Sequence, residues 1–379
     1  MAHAYVPGLK VLKRTVIKKE RKLPIEGNVI VNVNDKVNAE DAIAKAFLPG
    51  PVDIINAANK LAIDPQELPL FLLKKEGDRV LEGETIVKYS SFFGLFKQEI
   101  KSTITGTIES ISTSTGQIII RKDPTPIETI AFVDGIVEEV IPKVGAIIKT
   151  YGTYIQGIFG IGKEKIGKIK VIANNPQDEI NNEKFLENVE KGDIVVGGSY
   201  ITKEIIDKLI ELGVLGIITG GIDAETIKEI LGYEIGVAVT GTENIPFTLI
   251  VTEGFGKISM AYKTFNLLKE SNNKKASISG ATQIRAGVIR PEIIIPFLNE
   301  IEDLTKIEDK QFSTVLEKGA LVRIIREPYF GKIAQIIDLP EEPTKIPTES
   351  KVRIAKIKIL DTNEEIIYPR ANIELIEES

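Results

Sequence analysis

The chain has 379 residues, no cysteine, no tryptophan, a single histidine and a formal net charge of −6. Absence of cysteine excludes a disulfide framework, a thiolate metal site and a cysteine nucleophile, and His3 alone excludes histidine triads, multi-histidine metal sites and phosphohistidine relays. The length predicts two or three domains with separate cores, and no apolar run approaches the roughly 18 residues of a membrane span.

The opening MAHAYVPGLKVLKR lacks the apolar core of a secretory signal, so a cytoplasmic protein without membrane contact is expected. Abundant Ile, Lys and Glu fit a thermophile, and fit an AT-rich genome equally. The segment LKVLKRTVIKKERKLP carries Lys10, Lys13, Arg14, Lys18, Lys19, Arg21 and Lys22 against Glu20. It reads either as an arm for phosphates or an acidic protein face, or as an edge strand whose lysines discourage pairing with other chains.

From residue 23 to about 157 one theme repeats. The pattern G/N-D-x-V-x-x-x-D/E-x-I runs from Asn34 to Ile43 and again from Gly77 to Ile86, predicting short strands joined by Asx and acidic turns. STITGTIESISTSTGQIIIRKD and AFVDGIVEEVIPKVGAIIKTYG add two hairpins. Between the two copies of the motif, VDIINAANKLAIDPQELPLFLL reads as one or two short inserted helices. Residues 1–157 are therefore expected to form one β-rich barrel or sandwich with a helical insertion. Its hairpins resemble those of biotinyl/lipoyl-like barrel-sandwich-hybrid domains. In that family a carrier lysine precedes a turn matched here by Ser102–Gly106; counting back reaches Leu95, with Lys97 offset. The resemblance thus implies the fold without the covalent group, and no cofactor is expected. The tip SSFFGLF either packs on the next domain or forms an exposed interaction patch.

Residues 158–297 change pattern. GIFGIGKE satisfies G-x-x-x-x-G-K, but Glu164 stands where a phosphate loop needs Ser or Thr, and KIGKIKVIAN reads as a strand rather than a helix. A domain-joining hairpin is expected there. KIKVIAN, GDIVVGGS, GVLGIITGG, EIGVAVTG and FTLIVTEGFG are short β-branched runs. TKEIIDKLIEL with Thr202 as N-cap, DAETIKEIL with Asp223 as N-cap, and AYKTFNLLKE are helices. This alternation predicts an α/β domain with a mainly parallel sheet. Its turns place Gly197, Gly198, Ser199, Gly220, Gly221, Asp223, Gly241 and Gly254 at one carboxyl edge, where such folds bind nucleotides or phosphates; short strand-to-helix turns use glycine without any ligand as well. Glu243 and Glu253 could line that edge, yet nothing pairs them as acid and base, so no catalytic residue and no metal ligand is assigned. Arg285 and Arg290, among apolar neighbours, are expected to pair with carboxylates or cap turns, with phosphate or RNA contact as the lesser alternative.

NEIEDLTKIEDKQ, within residues 298–312, is polar and acidic and reads as a linker. Residues 313–379 read as a small barrel. ALVRIIRE and KIAQIIDL alternate apolar and polar residues around Pro-Tyr-Phe-Gly, and KVRIAKIKIL and EEIIYPRANIELI flank Asp361-Thr362-Asn363. This segment resembles the KOW-type SH3-like barrel of NusG-class transcription elongation factors and some ribosomal proteins. The resemblance covers about a sixth of the chain and implies docking onto a large machine, such as a ribosome or RNA polymerase, through Arg323, Arg326, Tyr329, Phe330 and Lys332. From residue 315 to 379, 10 Lys/Arg stand against 12 Asp/Glu. That balance favours a protein or ribonucleoprotein surface over direct, sequence-independent nucleic-acid binding. The whole chain resembles a family of bacterial multidomain proteins combining a β-rich front, an α/β centre and a KOW-like tail, which implies architecture and no activity. Three functions stay open: a non-catalytic binding or scaffold protein, a small-ligand binder or enzyme at the glycine-rich edge, and a self-assembling homo-oligomer.

Overall fold

The structure is a computed structural model that describes residues 9–91, 96–234, 240–283, 289–298, 303–307, 316–324, 328–329, 332–340, 342–345, 351–360 and 362–375. It is β-rich. Its largest element is a mixed sheet of thirteen strands, accompanied by antiparallel sheets of four, three and five strands. Among the described residues only Lys203–Leu212, Ala224–Leu231 and Tyr262–Glu270 are helices of eight residues or more.

The basic segment is the strand Val11–Lys22, paired antiparallel with Gly145–Gln156. Its other side has no strand partner among the described residues, so it is an edge strand. Its cations are engaged within the chain. Lys13, Lys18 and Lys22 pair with Glu270, Glu138 and Glu20, while Lys19 and Arg21 lean over the Phe132 ring toward Glu292 and Glu164.

The repeated motif is legible in atomic detail. In the first copy the carboxylates of Asp35 and Asp41 accept from the backbone N–H of Asn32 and Asn38, both at 2.7 Å. In the second, Asp78 and Glu84 accept from Lys75 and Leu81 at 2.9 and 2.8 Å. Each acidic residue closes a tight turn, and the intervening Val37, Ile43, Val80 and Ile86 are buried.

The two copies belong to different cores. Ile17, Val37, Ile43, Phe132 and Ile148 pack in one. Ile55, Leu68, Val80, Ile86, Ile108 and Ile118 pack in another, drawn wholly from residues 55–120. The single β-rich unit expected for residues 1–157 thus has two cores, one inserted in the other. The expected helical insertion is the short α-helix Ala57–Leu61 followed by the 3-10 helix Pro65–Phe71. Ala62 at φ +53° and Pro65 stop the first, and Pro69 keeps the second from continuing as α-helix.

In the centre, Lys165–Val171, Asp193–Val196, Gly216–Ile222 and Thr248–Phe255 are parallel neighbours. The sheet is nevertheless mixed rather than mainly parallel. Phe159–Ile161 closes one side antiparallel, and on the other Lys275–Ser279 and Glu292–Pro296 lead antiparallel into Gly145–Gln156. Hydrogen bonding therefore runs unbroken across residue 157. Gly162 turns the chain at φ +89° between the first two strands of this region, and Glu164 receives both ends of the Arg21 guanidinium at 2.6 and 2.7 Å. The phosphate-loop likeness is thus a strand–turn–strand. Most of the expected strand EIGVAVTG, residues 235–239, lies outside the described residues, as do Arg285 and the tip residues 92–95.

The tail is a five-stranded antiparallel sheet in the order Glu365–Pro369, Ile354–Ile359, Ile333–Asp338, Leu321–Ile324, Ile373–Leu375. Val322, Ile324, Ala334, Ile336, Ile357 and Ile359 fill its own core.

Candidate functional site

The parallel strands bring most of the glycine-rich residues to one edge, as the alternation predicts. Gly197, Gly198 and Ser199 follow Asp193–Val196, and Gly221 lies opposite Gly254 in the register. The edge is filled by backbone. A Cβ at Gly198 would overlap the Asp178 carbonyl, one at Gly220 the Ile258 carbonyl, and one at Gly221 the Gly256 carbonyl. Gly220 and Gly221 donate to Gly198 and Ser199 at 2.8 and 2.9 Å, and the Ser199 hydroxyl donates to the Gln177 carbonyl at 2.8 Å. These glycines let neighbouring segments approach one another. Gly241 lies apart, at the opposite end of the sheet. Its N–H and that of Gly162, beside the start of Thr248–Phe255, both donate to Glu243 at 2.8 Å.

Asp223 and Glu253, the carboxylates at this edge, are bonded to other groups rather than paired with each other. Asp223 stands at an N-cap position without capping; it accepts from the Tyr200 hydroxyl at 2.5 Å instead. Burial, reinforced by that carboxylate, raises the Tyr200 pKa. Lys257 lies 5.4 Å above the same ring and pairs with Glu179. Glu253 is buried; one oxygen accepts from Ala261 N–H at 2.9 Å, at the start of Tyr262–Glu270, and the other pairs with Arg323.

That ion pair corrects one expectation for the tail. Arg323 is 8% exposed, not displayed on an open hairpin. On its strand Val322 and Ile324 point into the tail core, so Arg323 faces the other way. That face lies against the central sheet rather than solvent. Tyr329 is half-buried, with its ring edge-on to Tyr368 at 6.3 Å and its hydroxyl donating to Glu364 at 3.2 Å. The hydrogen bond to that carboxylate raises the Tyr329 pKa. Lys332 is exposed, and Arg326 and Phe330 lie outside the described residues.

Sequence reasoning missed a cleft of about 860 Å³ between the N-terminal layer, the central sheet and the linker. It is bounded by residues 34–38, 134–136, 274–275, 296–298 and 303–305. Five stretches this far apart carry no shared local signal. Within it Lys275 donates to Asp134 and Glu40, both at 2.7 Å. Burial opposes that ammonium, but the two carboxylates outweigh it and hold the pKa above the usual 10.5. Asp303 accepts from Thr305 and pairs with Lys306, which lowers its pKa to about 2.

Among the described residues no cluster of three acidic or histidine side chains is spaced to hold a metal ion, and no helix is long and apolar enough to cross a membrane. A scan against protein-family models finds no match to this chain, and a search of curated proteins finds none either.

Proposed function

We propose that the chain is a non-catalytic binding protein that holds out its C-terminal unit to a protein or ribonucleoprotein assembly. The observation that carries this reading is the seat of the tail: a unit with its own core, fixed to the central sheet through the buried Arg323–Glu253 pair. A unit so held presents a defined face rather than swinging on its linker.

The five antiparallel strands, with the first, Leu321–Ile324, bonded to the last, Ile373–Leu375, fit the KOW-type SH3-like barrel that the sequence resembles. The paired acidic turns of the front fit the barrel-sandwich-hybrid likeness in the same way. The docking reading gains further support from the glycine-rich edge, whose carboxylates and turns are committed to internal contacts. With Arg323 turned inward, Tyr329 and Lys332 remain the described candidates for contact. Fold likeness alone does not assign a partner; the slightly acidic tail suits a basic or mixed protein surface.

The test is affinity capture from native lysate, with and without nuclease, comparing the full chain with one ending at Asp309. Recovery of ribosomal or RNA polymerase subunits with the full chain alone supports docking through the tail. Identical recovery by both chains, or recovery of the bait alone, rejects it.

A further inference from the structure

We infer that the cleft between the N-terminal layer, the central sheet and the linker binds a small organic anion with an apolar body. Its volume of about 860 Å³ falls in the range of small-molecule sites. Its walls are of two kinds. Val37, Ile136, Pro296, Phe297 and Leu304 supply apolar surface, and Lys36, Lys274 and Lys275 supply ammonium groups.

The sign of the ligand follows from which charges are already matched. Of the two carboxylates in the lining, Asp134 is bonded to Lys275, and Asp303 accepts from Thr305 and pairs with Lys306. Lys275 is shared between Asp134 and Glu40. Lys36 and Lys274 are different. Neither has a carboxylate partner among the described residues, and the Lys274 ammonium lies 4.2 Å from the centroid of the Phe297 ring. That arrangement sets a positive charge directly against an apolar wall, where an anion with an attached ring or chain gains from both. Inorganic phosphate would use only the lysines, and a neutral hydrocarbon only the wall.

The position of the cleft gives binding a consequence. Its lining joins the layer around Lys36 and Ile136, the sheet at Lys274 and Lys275, and the Asp303–Thr305 turn that precedes the tail. An occupant touching all three ties the linker to the body.

The experiment is calorimetric titration of the full chain with naphthalene-2-sulfonate, with neutral 2-naphthol and inorganic phosphate as comparison probes. Expected is saturable one-site binding of the sulfonate, at least about tenfold tighter than either comparison probe. Lys36→Met and Lys274→Met should each weaken it about threefold, and the double variant about tenfold, with unchanged melting temperature. Both side chains are exposed, so folding is not at risk. Lys60→Met, at an exposed lysine remote from the cleft, should leave affinity unchanged. Absence of binding at millimolar sulfonate overturns the inference. So does equal affinity for 2-naphthol or phosphate, an unchanged affinity in the double variant, or an equal loss in Lys60→Met.

Discussion

Arg323 and Glu253 are 70 positions apart in the chain and meet at 2.9 Å, with side chains 10% and 3% exposed. Removing one member strands the other charge in a desolvated place, which typically costs about 3–5 kcal/mol. Arg323→Ala should therefore destabilise the protein by that order and loosen the tail, measured as a lower melting temperature and faster proteolysis in the linker. Arg323→Met combined with Glu253→Gln should recover part of the loss, because glutamine still accepts from Ala261 N–H and no bare charge remains. A positive coupling of about 1–2 kcal/mol in the double-mutant cycle is expected. Strict additivity would show that the pair does not hold the tail.

Glycine substitutions separate a packing role from a ligand role at the carboxyl edge. Gly221→Ala forces a methyl group into the Gly256 carbonyl, and Gly220→Ala into that of Ile258. Each should cost about 1–3 kcal/mol or more in urea denaturation. Gly254 meets only the flexible end of Ile258, but its φ of +154° disfavours any side chain, so its substitution should cost about 1 kcal/mol. Full stability in Gly221→Ala would mean that the edge is more open than its backbone contacts indicate.

What the sequence made legible was local. The motif pairing Asp35 with Asp41 and Asp78 with Glu84 predicted acidic turns, because each carboxylate bonds to backbone three residues away. Thr202, Asp223 and the apolar faces behind them located two helices, and strand alternation located the tail hairpin. Less legible was anything set by contacts distant in sequence. Alternation marked Arg323 as facing away from the tail core, but could not say that protein rather than water lay there. Glu292–Pro296 joins the central sheet to the N-terminal layer through a ladder with Gly145–Gln156, some 140 positions back, so the boundary at 157 is invisible to hydrogen bonding. The cleft, assembled from five such stretches, had no signal at all.

Asp303 gives a pH dependence with a defined sign. Its carboxyl pKa falls from 3.8 to about 2 because Thr305 and Lys306 hydrogen-bond the charged form. A depressed folded-state pKa contributes stability above the unfolded value, and this is lost as pH falls through the folded value. The contribution of Asp303 should therefore be complete above about pH 4 and vanish toward pH 2. In an NMR titration its side-chain carboxyl should change below pH 3, and Asp303→Asn should erase that response. A midpoint near 4 would show the Asp303–Thr305 turn to be unformed in solution.

The inserted unit should be separable. Among the described residues, none of its core is shared with the other three: residues 55–120 supply it, and none of them enters the central, N-terminal or tail cores. The chain enters and leaves side by side. Leu48 lies opposite Thr125 and Val52 opposite Arg121, while Lys122 N–H donates to the Pro51 carbonyl at 3.0 Å. Two strands facing at Leu48 and Thr125 can be closed by a two-residue turn whose twist matches theirs. Replacing residues 49–124 by Asn-Gly should leave a cooperatively folding protein that melts within about 4 °C of the full chain, since only surface contacts are lost. The excised unit should fold by itself as a β-rich domain, measured by circular dichroism and amide exchange. Loss of cooperative melting in the shortened chain would mean that the two N-terminal cores fold as one, despite sharing no side chain among the described residues.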